Sequence, residues 1–412
     1  MFKSICWDEA LPIETGIVFL SIEGVGLYFL ENGKQEITLL TYLPDICIKG
    51  KKPYKTMVKF GDQIILPPCE SDYIAVYDCG TRLFRTARLE TLPMYQDDLY
   101  KFWICVVYKD FVYFIGHYYP AIVKMNIHTM KLSYLFDWIK QIGKRREEES
   151  TPFLKNAIVH KDALLMPCRC TNAILKLDLN TDKTELFEVE TNKFQLDGIC
   201  YARGKYWLTA LNRYEIVIWD EKQNYTEIIE LKKGESNTGS VLFCQPFVFH
   251  NNIYLFPFRA DCAYSINTIS KEVQKIDGLD SVFNSKQYID QNYRKVVNIP
   301  AIKDGYVYFI TGDKKNFHMY NLASKTKMNI PLYISTYTLR MTQIERRKKM
   351  FNLFYKRDHS SKGAVTFSEG EGFFCEDFCD FICKYEDGSP SPDFKSRKVN
   401  IGQTIYSMMI KN

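Results

Sequence analysis

The 412-residue sequence contains no apolar run long enough to cross a bilayer as a helix, so no membrane span is expected. Its first nine residues, Met1 to Glu9, lack the continuous apolar core and small-residue cleavage site of a secretory signal. Charge of one sign is scarce as well. Lys and Arg number 54 against 49 Asp and Glu, a net charge of +5. That excess is too thin for the dense basic field of a nucleic-acid binder, and no nucleic-acid partner is expected. Histidine is sparse at 6 residues, which leaves few acid–base candidates. The 13 cysteines are odd in number and follow no repeating spacing. They read as small buried hydrophobes in a reducing compartment, and the expected location is cytoplasmic.

What the sequence does have is aromatic residues, 15% of the chain, with Tyr and Phe at 28 each. Such side chains fit the pleated, half-buried surface of a sheet. They also recur in order. A two-residue polar turn precedes a short apolar strand at Gly61-Asp62, Lys109-Asp110, Lys161-Asp162, Arg203-Gly204, Asn251-Asn252 and Asp304-Gly305. A diverged first copy starts at Gly16. The period is about 48 residues, the length of a four-stranded propeller blade. Alternating strands follow each copy, as in Tyr73–Asp78, Ala173–Asp178, Tyr214–Asp220 and Phe317–Leu322. One blade cannot bury both of its faces, whereas a closed ring of blades can. The expectation is therefore an all-β, seven-bladed β-propeller, with six or eight blades as the alternatives.

The module of polar turn, four apolar residues, loop, an alternating strand ending in Asp, turn and last strand resembles the blades of the YVTN, NHL and quinoprotein-like repeat propellers. The resemblance covers about residues 1–335. WD-repeat signatures are missing, Trp219-Asp220 being a single occurrence, and so are the paired glycines of kelch blades. The superfamily includes scaffolds, sensors and unrelated enzymes, so the resemblance implies a fold and no particular activity.

Two domains are expected: residues 1–343 as the propeller and 344–412 as a C-terminal segment. Within that segment, Met350–Tyr355 and Lys362–Phe367 read as strands, and Glu371–Lys384 and Ile401–Ile410 as short helices. The first repeat shows no inner strand, so a C-terminal strand or residues 2–7 would have to complete it and close the ring.

In a propeller, the start of each inner strand and the end of each second strand surround one mouth of the axial channel, and function favours such loops. Arg169, Arg213, Arg259, His117 and Glu70, with Lys314 and Lys315, occupy the second-strand ends. Lys55, Thr56, Trp103, Lys155, Asn156, Gln195, Asp197, Gln245 and Asn298 occupy the inner-strand starts. Arginines among aromatics suit carboxylate, phosphate or sugar ligands, because guanidinium pairs bidentately and rings stack on sugars. Ordinary solvation of loop residues is the competing reading. Candidate ligand-binding residues are thus Arg169, Arg213, Arg259, His117, Glu70, Asn156, Asp197, Trp103 and Gln245.

The expected function is non-enzymatic binding of a protein partner or an anionic or sugar-like ligand at that mouth. The alternative is a propeller lyase or hydrolase acting on a glycan or modified peptide, with His117 beside Glu70 or Asp197 as acid–base group. Cys375, Cys379 and Cys383 share one helical stripe without a fourth ligand, and Cys168 and Cys170 sit too close to chelate, so no metal or other cofactor is expected.

Overall fold

The structure, a computed structural model, describes residues 5–21, 25–49, 52–92, 100–143, 152–169, 171–189, 195–231, 241–289 and 293–360. Among these residues are seven sheets, six with four strands and one with five. Each is a blade of a propeller ring, and consecutive strands within a blade pair antiparallel. The inner strands are Glu9–Ile13, Val58–Phe60, Phe102–Tyr108, Ile158–His160, Leu196–Ala202, Phe247–Phe249 and Ala301–Lys303, which define blades 1 to 7. Three α-helices are described: α1 (Ile139–Gly143), α2 (Asp280–Phe283) and α3 (Thr336–Ser360).

The core follows from strand alternation. Successive side chains point to opposite sheet faces, and both faces of a blade meet a neighbour. In blade 2, Ile64 packs with Val18 and Leu20 of blade 1, while the next residue, Ile65, packs with Val112 and Phe114 of blade 3. Leu164 and Met166 likewise face blade 3, and Leu165 between them faces blade 5. The result is seven apolar clusters, one in each seam between adjacent blades. Each fully buried Leu or Ile in them is worth about 1.5–3 kcal/mol relative to exposure. Ion pairs stitch the seams at the rim, as between Lys124 and Asp182 at 2.7 Å, Lys271 and Glu227 at 2.6 Å, and Lys176 and Glu221.

The turns explain the polar dipeptides. Gly61, Lys109, Lys161, Arg203, His250 and Asp304 all hold positive φ, between 51° and 54°, at the hairpin between inner and second strands. Blade 6 turns one residue earlier than its Asn251-Asn252 pair suggests, because Asn252 already pairs with Phe249 in the ladder. The Asp or Asn ending each third strand has its own task. Asp78, Asn126, Asp178, Asp220, Asn267 and Asn321 each accept a backbone N–H from two or three residues ahead, closing an Asx turn.

Ring closure differs from expectation. Residues Glu9–Ile13, directly after the 2–7 segment, supply the inner strand of blade 1, and no described C-terminal strand does. Pro12 and Glu9 hid it: both are poor strand formers, tolerated here because an inner strand is an edge of its sheet. The chain after blade 7 instead adds Tyr333–Ile334 as a short parallel strand on the outer edge of blade 1, beside Glu36 and Ile37. Then α3 packs along that blade. Leu339 joins the seam between blades 7 and 1, Tyr28 Oη meets Thr342 Oγ1 at 2.9 Å, and Lys349 Nζ donates to Leu43 O at 2.7 Å. Residues Met350–Tyr355 belong to α3 and are not a strand. The charged run before them is made of good helix formers, and Glu345 pairs with Lys349 one turn on at 3.5 Å. The expected boundary at 343/344 falls inside this helix. The readings at 362–367, 371–384 and 401–410 lie outside the described residues.

Candidate functional site

The inner strands enter the ring through single bridged pairs, Tyr54 with Pro68, Leu154 with Cys168, Phe243 with Pro257 and Val296 with Thr311. The residue after each bridge faces the axis, which places Lys55, Lys155, Cys244 and Val297 there. Glu9 of blade 1 and Trp103 of blade 3 complete the wall, with Thr56, Asn156, Gln245, Asn298, Ile299 and Phe258 filling between them. The cavity they enclose is only about 20 Å³, enough for a water molecule and little more. It is the neck of the channel.

Charge is concentrated at this neck. Lys55 Nζ donates to Val297 O at 2.9 Å and lies 5.3 Å from the Trp103 ring centroid. Lys155 approaches the same ring at 5.5 Å and the Phe258 ring at 5.1 Å. One tryptophan is thus shared by two ammonium groups, an arrangement favoured by its negative π-face. Burial pushes Lys55 down to about 8, and Lys52 adds to the shift. Glu9 accepts from Thr56 Oγ1 at 2.9 Å and from Ala10 N at 3.0 Å. Burial nevertheless lifts its carboxyl to about 7 against the pull of Lys55.

Beside the neck, on the blade 7 and blade 1 side, Lys314 Nζ donates to Asp8 Oδ1 at 2.6 Å. Burial alone would raise Asp8, but Lys314, with Lys55 and Lys52 behind it, holds that carboxyl below its ordinary range. Lys52 shows the opposite strain. Burial first, then Lys314 and Arg294, push its ammonium below the usual value despite Asp8. Lys52 lies 5.8 Å from the Tyr100 ring, and Tyr100 in turn contacts Trp103. Gly312 makes this crowding possible: a Cβ there would sit 1.9 Å from Arg294 O, forcing the Arg294–Lys295 backbone away.

The nine candidate residues divide in their placement. Trp103, Asn156 and Gln245 line the neck. Asp197 is buried against it, its carboxylate 2.7 Å from Arg169 Nε and 3.5 Å from Lys155 Nζ, and its carbonyl accepts from Asn156 Nδ2 at 3.0 Å. The Arg169 contact lacks hydrogen-bond alignment, so neither Asp197 carboxylate oxygen nor Gln245 Oε1 accepts a hydrogen bond among the described residues. His117 is buried beside Trp103 and Tyr118 with Nδ1 2.6 Å from Leu154 O. Burial, then Arg169, press it to about 3, so the imidazole is neutral. Glu70 stands at the rim and braces the Lys52 loop, its Oε2 accepting from Lys52 N at 2.7 Å. Arg259 lies 5.5 Å over the Phe258 ring on the cavity wall. Arg213 does not line the cavity; it lies 3.6 Å from Glu215 on the adjoining strand.

Lys52, Asp8, Glu9, Tyr100, Phe258 and Arg294 were outside the sequence-based candidates. For the lysines a signal exists. Pro53-Tyr54-Lys55-Thr56 and Pro152-Phe153-Leu154-Lys155-Asn156 share a proline, a bulky residue, a lysine and a small polar residue at the inner-strand start. Asp8 and Glu9 carry no such mark.

No family model matches the chain, and no curated protein is similar to it. Solved structures are similar in fold. A streptogramin B lyase is 14% identical, covering 76% of this chain and 92% of its own, with a TM-score of 0.54. Virginiamycin B lyase from Staphylococcus aureus is 12% identical, covering 75% and 93%, with a TM-score of 0.54. The extracellular domain of a putative one-component system from B. thetaiotaomicron is 14% identical, covering 76% and 38%, with a TM-score of 0.50. The neighbours thus include lyases and an extracellular domain of a one-component system, and what they share with this chain is the β-propeller fold.

Proposed function

We propose that this propeller is a non-enzymatic binding module that takes a small anionic ligand, a phosphate or carboxylate carried on a sugar-like ring, at the axial mouth. The carrying observation is the crowding of Lys52, Lys55, Lys314 and Arg294 around Asp8 and Glu9. Burial and their neighbours depress the two lysines Lys52 and Lys55, and a ligand anion would relieve that repulsion. Tyr100, Trp103 and Phe258 offer ring faces beside the cations. A neck of about 20 Å³ halts the ligand at the mouth, short of Glu9.

Calorimetric titration with glucose 6-phosphate, inorganic phosphate, gluconate and glucose tests this reading. The expected order is sugar phosphate tightest, free phosphate weaker and neutral glucose undetectable. Lys52→Ala should weaken sugar-phosphate binding at least ten-fold, whereas Lys348→Ala on α3 should leave it unchanged. Heat from glucose equal to that from glucose 6-phosphate would defeat the proposal.

The enzymatic reading, a lyase or hydrolase on a glycan or modified peptide, rests on one observation. Glu9 near 7 and Lys55 near 8 are two buried groups titrating close to neutrality at one cavity. Turnover abolished by Glu9→Gln with binding retained would favour it over simple binding.

A further inference from the structure

Helix α3 turns two of its cations inward and leaves part of its apolar surface outside. Arg346 and Lys349, 8% and 4% exposed, face blade 1, while Tyr337, Met341 and Ile344 face solvent at 75%, 39% and 50%. A surface helix ordinarily turns its apolar stripe inward and its charges out. The inward cations have partners: Lys349 Nζ also lies 2.6 Å from Asp45 Oδ1. The outward residues recur at i, i+4 and i+7, which makes one continuous stripe. Tyr333, 59% exposed on the added strand, extends the apolar surface at its N-terminal end. An apolar stripe of three side chains, extended by Tyr333 and left open on the ring, is a surface awaiting a cover.

We propose that the stripe is the docking surface for residues 371–384 of the same chain. That segment places Phe374, Phe378 and Ile382 at i, i+4 and i+8 and carries Glu371, Glu376, Asp377 and Asp380 against one lysine, Lys384. Its acids complement the exposed Arg340 and Lys348 that flank the stripe on α3. The dimensions agree. In helical form the segment's apolar row would span about 12 Å, and the row from Tyr337 to Ile344 spans about 10 Å. The connection is long enough too. From Ser360 back to Ile344 is about 24 Å along the helix, and the thirteen residues 361–373 reach about 43 Å when extended. This proposal is independent of the ligand at the axial mouth.

The segment's own cysteines make the test direct. In the full chain, Met341→Cys under mild oxidation should form an intramolecular disulfide with Cys375, Cys379 or Cys383, identified by peptide mass mapping of the monomer. Leu83→Cys, an exposed position on blade 2, should not. Equal cross-linking from both positions, none from Met341→Cys, or a covalent dimer through it, as a second copy on the stripe would give, overturns the proposal. Met341→Asp with Ile344→Asp should also raise hydrogen exchange across residues 371–384 at least ten-fold without changing the seam between blades 4 and 5. Unchanged exchange in 371–384 overturns it equally.

Discussion

Glu9 and Lys55 face one another's field inside a closed neck, and each is held away from its ordinary titration range by burial. The signs of their effects on an anionic ligand agree. Glu9 is neutral below about 7 and an anion above it. Lys55 is a cation below about 8 and neutral above it. Each step removes positive charge as pH rises, so anion affinity should fall from pH 6 to pH 9. The loss per charge should be roughly ten- to a hundred-fold at a separation of about 6 Å with an effective dielectric near 20. Sulfate and gluconate keep a constant charge over that range and are the suitable probes. In Glu9→Gln the lower step should vanish and the step near 8 should persist. Affinity for sulfate that is flat across the range in the unsubstituted protein would remove this pair from the site. The same raised Glu9 acts on stability. Its folded pKa lies above its unfolded one, so its contribution is full below pH 4.5 and is lost as pH rises through 7.

At the scale of the element, the blades are held in register by turns whose residues carry opposite energies. Asp178 accepts from Asn180 N at 2.9 Å and Thr181 N at 2.8 Å, so Asp178→Ala should destabilise the blade and lower the unfolding midpoint. Lys161 sits at φ 54°, a conformation that costs a residue with a Cβ roughly 1–2 kcal/mol and that Asn adopts more readily. Lys161→Asn should therefore stabilise by a few tenths of a kcal/mol up to about 1. Urea unfolding midpoints should move in opposite directions for the two variants, and a shared direction would refute the turn account. These turns are also why the blades were legible. Each Asx residue ends an alternating strand, and chemistry and periodicity mark the same position. The inner strands were harder. Val58–Phe60, Ile158–His160, Phe247–Phe249 and Ala301–Lys303 are three residues long, too short to show a period. The mouth was legible where topology alone determines it, as at Trp103, Asn156 and Gln245. A second-strand end fixes the loop but not what the side chain meets: Arg213 lies 3.6 Å from Glu215, which the pattern does not reveal. Asp8 escaped because its partner, Lys314, is 306 positions away and meets it only when the ring closes.

At the scale of the whole molecule, one seam is unlike the other six. Chain crosses every seam, but that between blades 7 and 1 is crossed only at the outer edge, where Pro331-Leu332 leads to the short strand Tyr333–Ile334, and the inner strands that meet there come from opposite ends of the ring-forming sequence. That seam is held by Phe19 against Phe317 at 5.0 Å, by Trp7 N donating to Lys314 O at 2.7 Å, by Lys303 Nζ on Ile13 O, and by α3 laid against blade 1. Joining ends so distant in sequence carries a loop-closure entropy that neighbouring blades do not face. The seam between blades 7 and 1 should accordingly open at a lower free energy than the others. Native-state hydrogen exchange should find amides of Gly16–Ser21 and Phe317–Asn321 exchanging before those of Ala173–Asp178 and Lys205–Ala210. Thr342→Val, which removes a hydrogen-bond partner of Tyr28 Oη, should widen that gap, because it weakens the clasp of α3 on blade 1. Uniform protection around the ring, or a Thr342→Val effect spread equally over all seven blades, would mean that closure does not depend on α3. A selective effect would make the helix the clasp of the propeller, holding blade 1 in place beneath Asp8, Glu9 and the mouth they help to form.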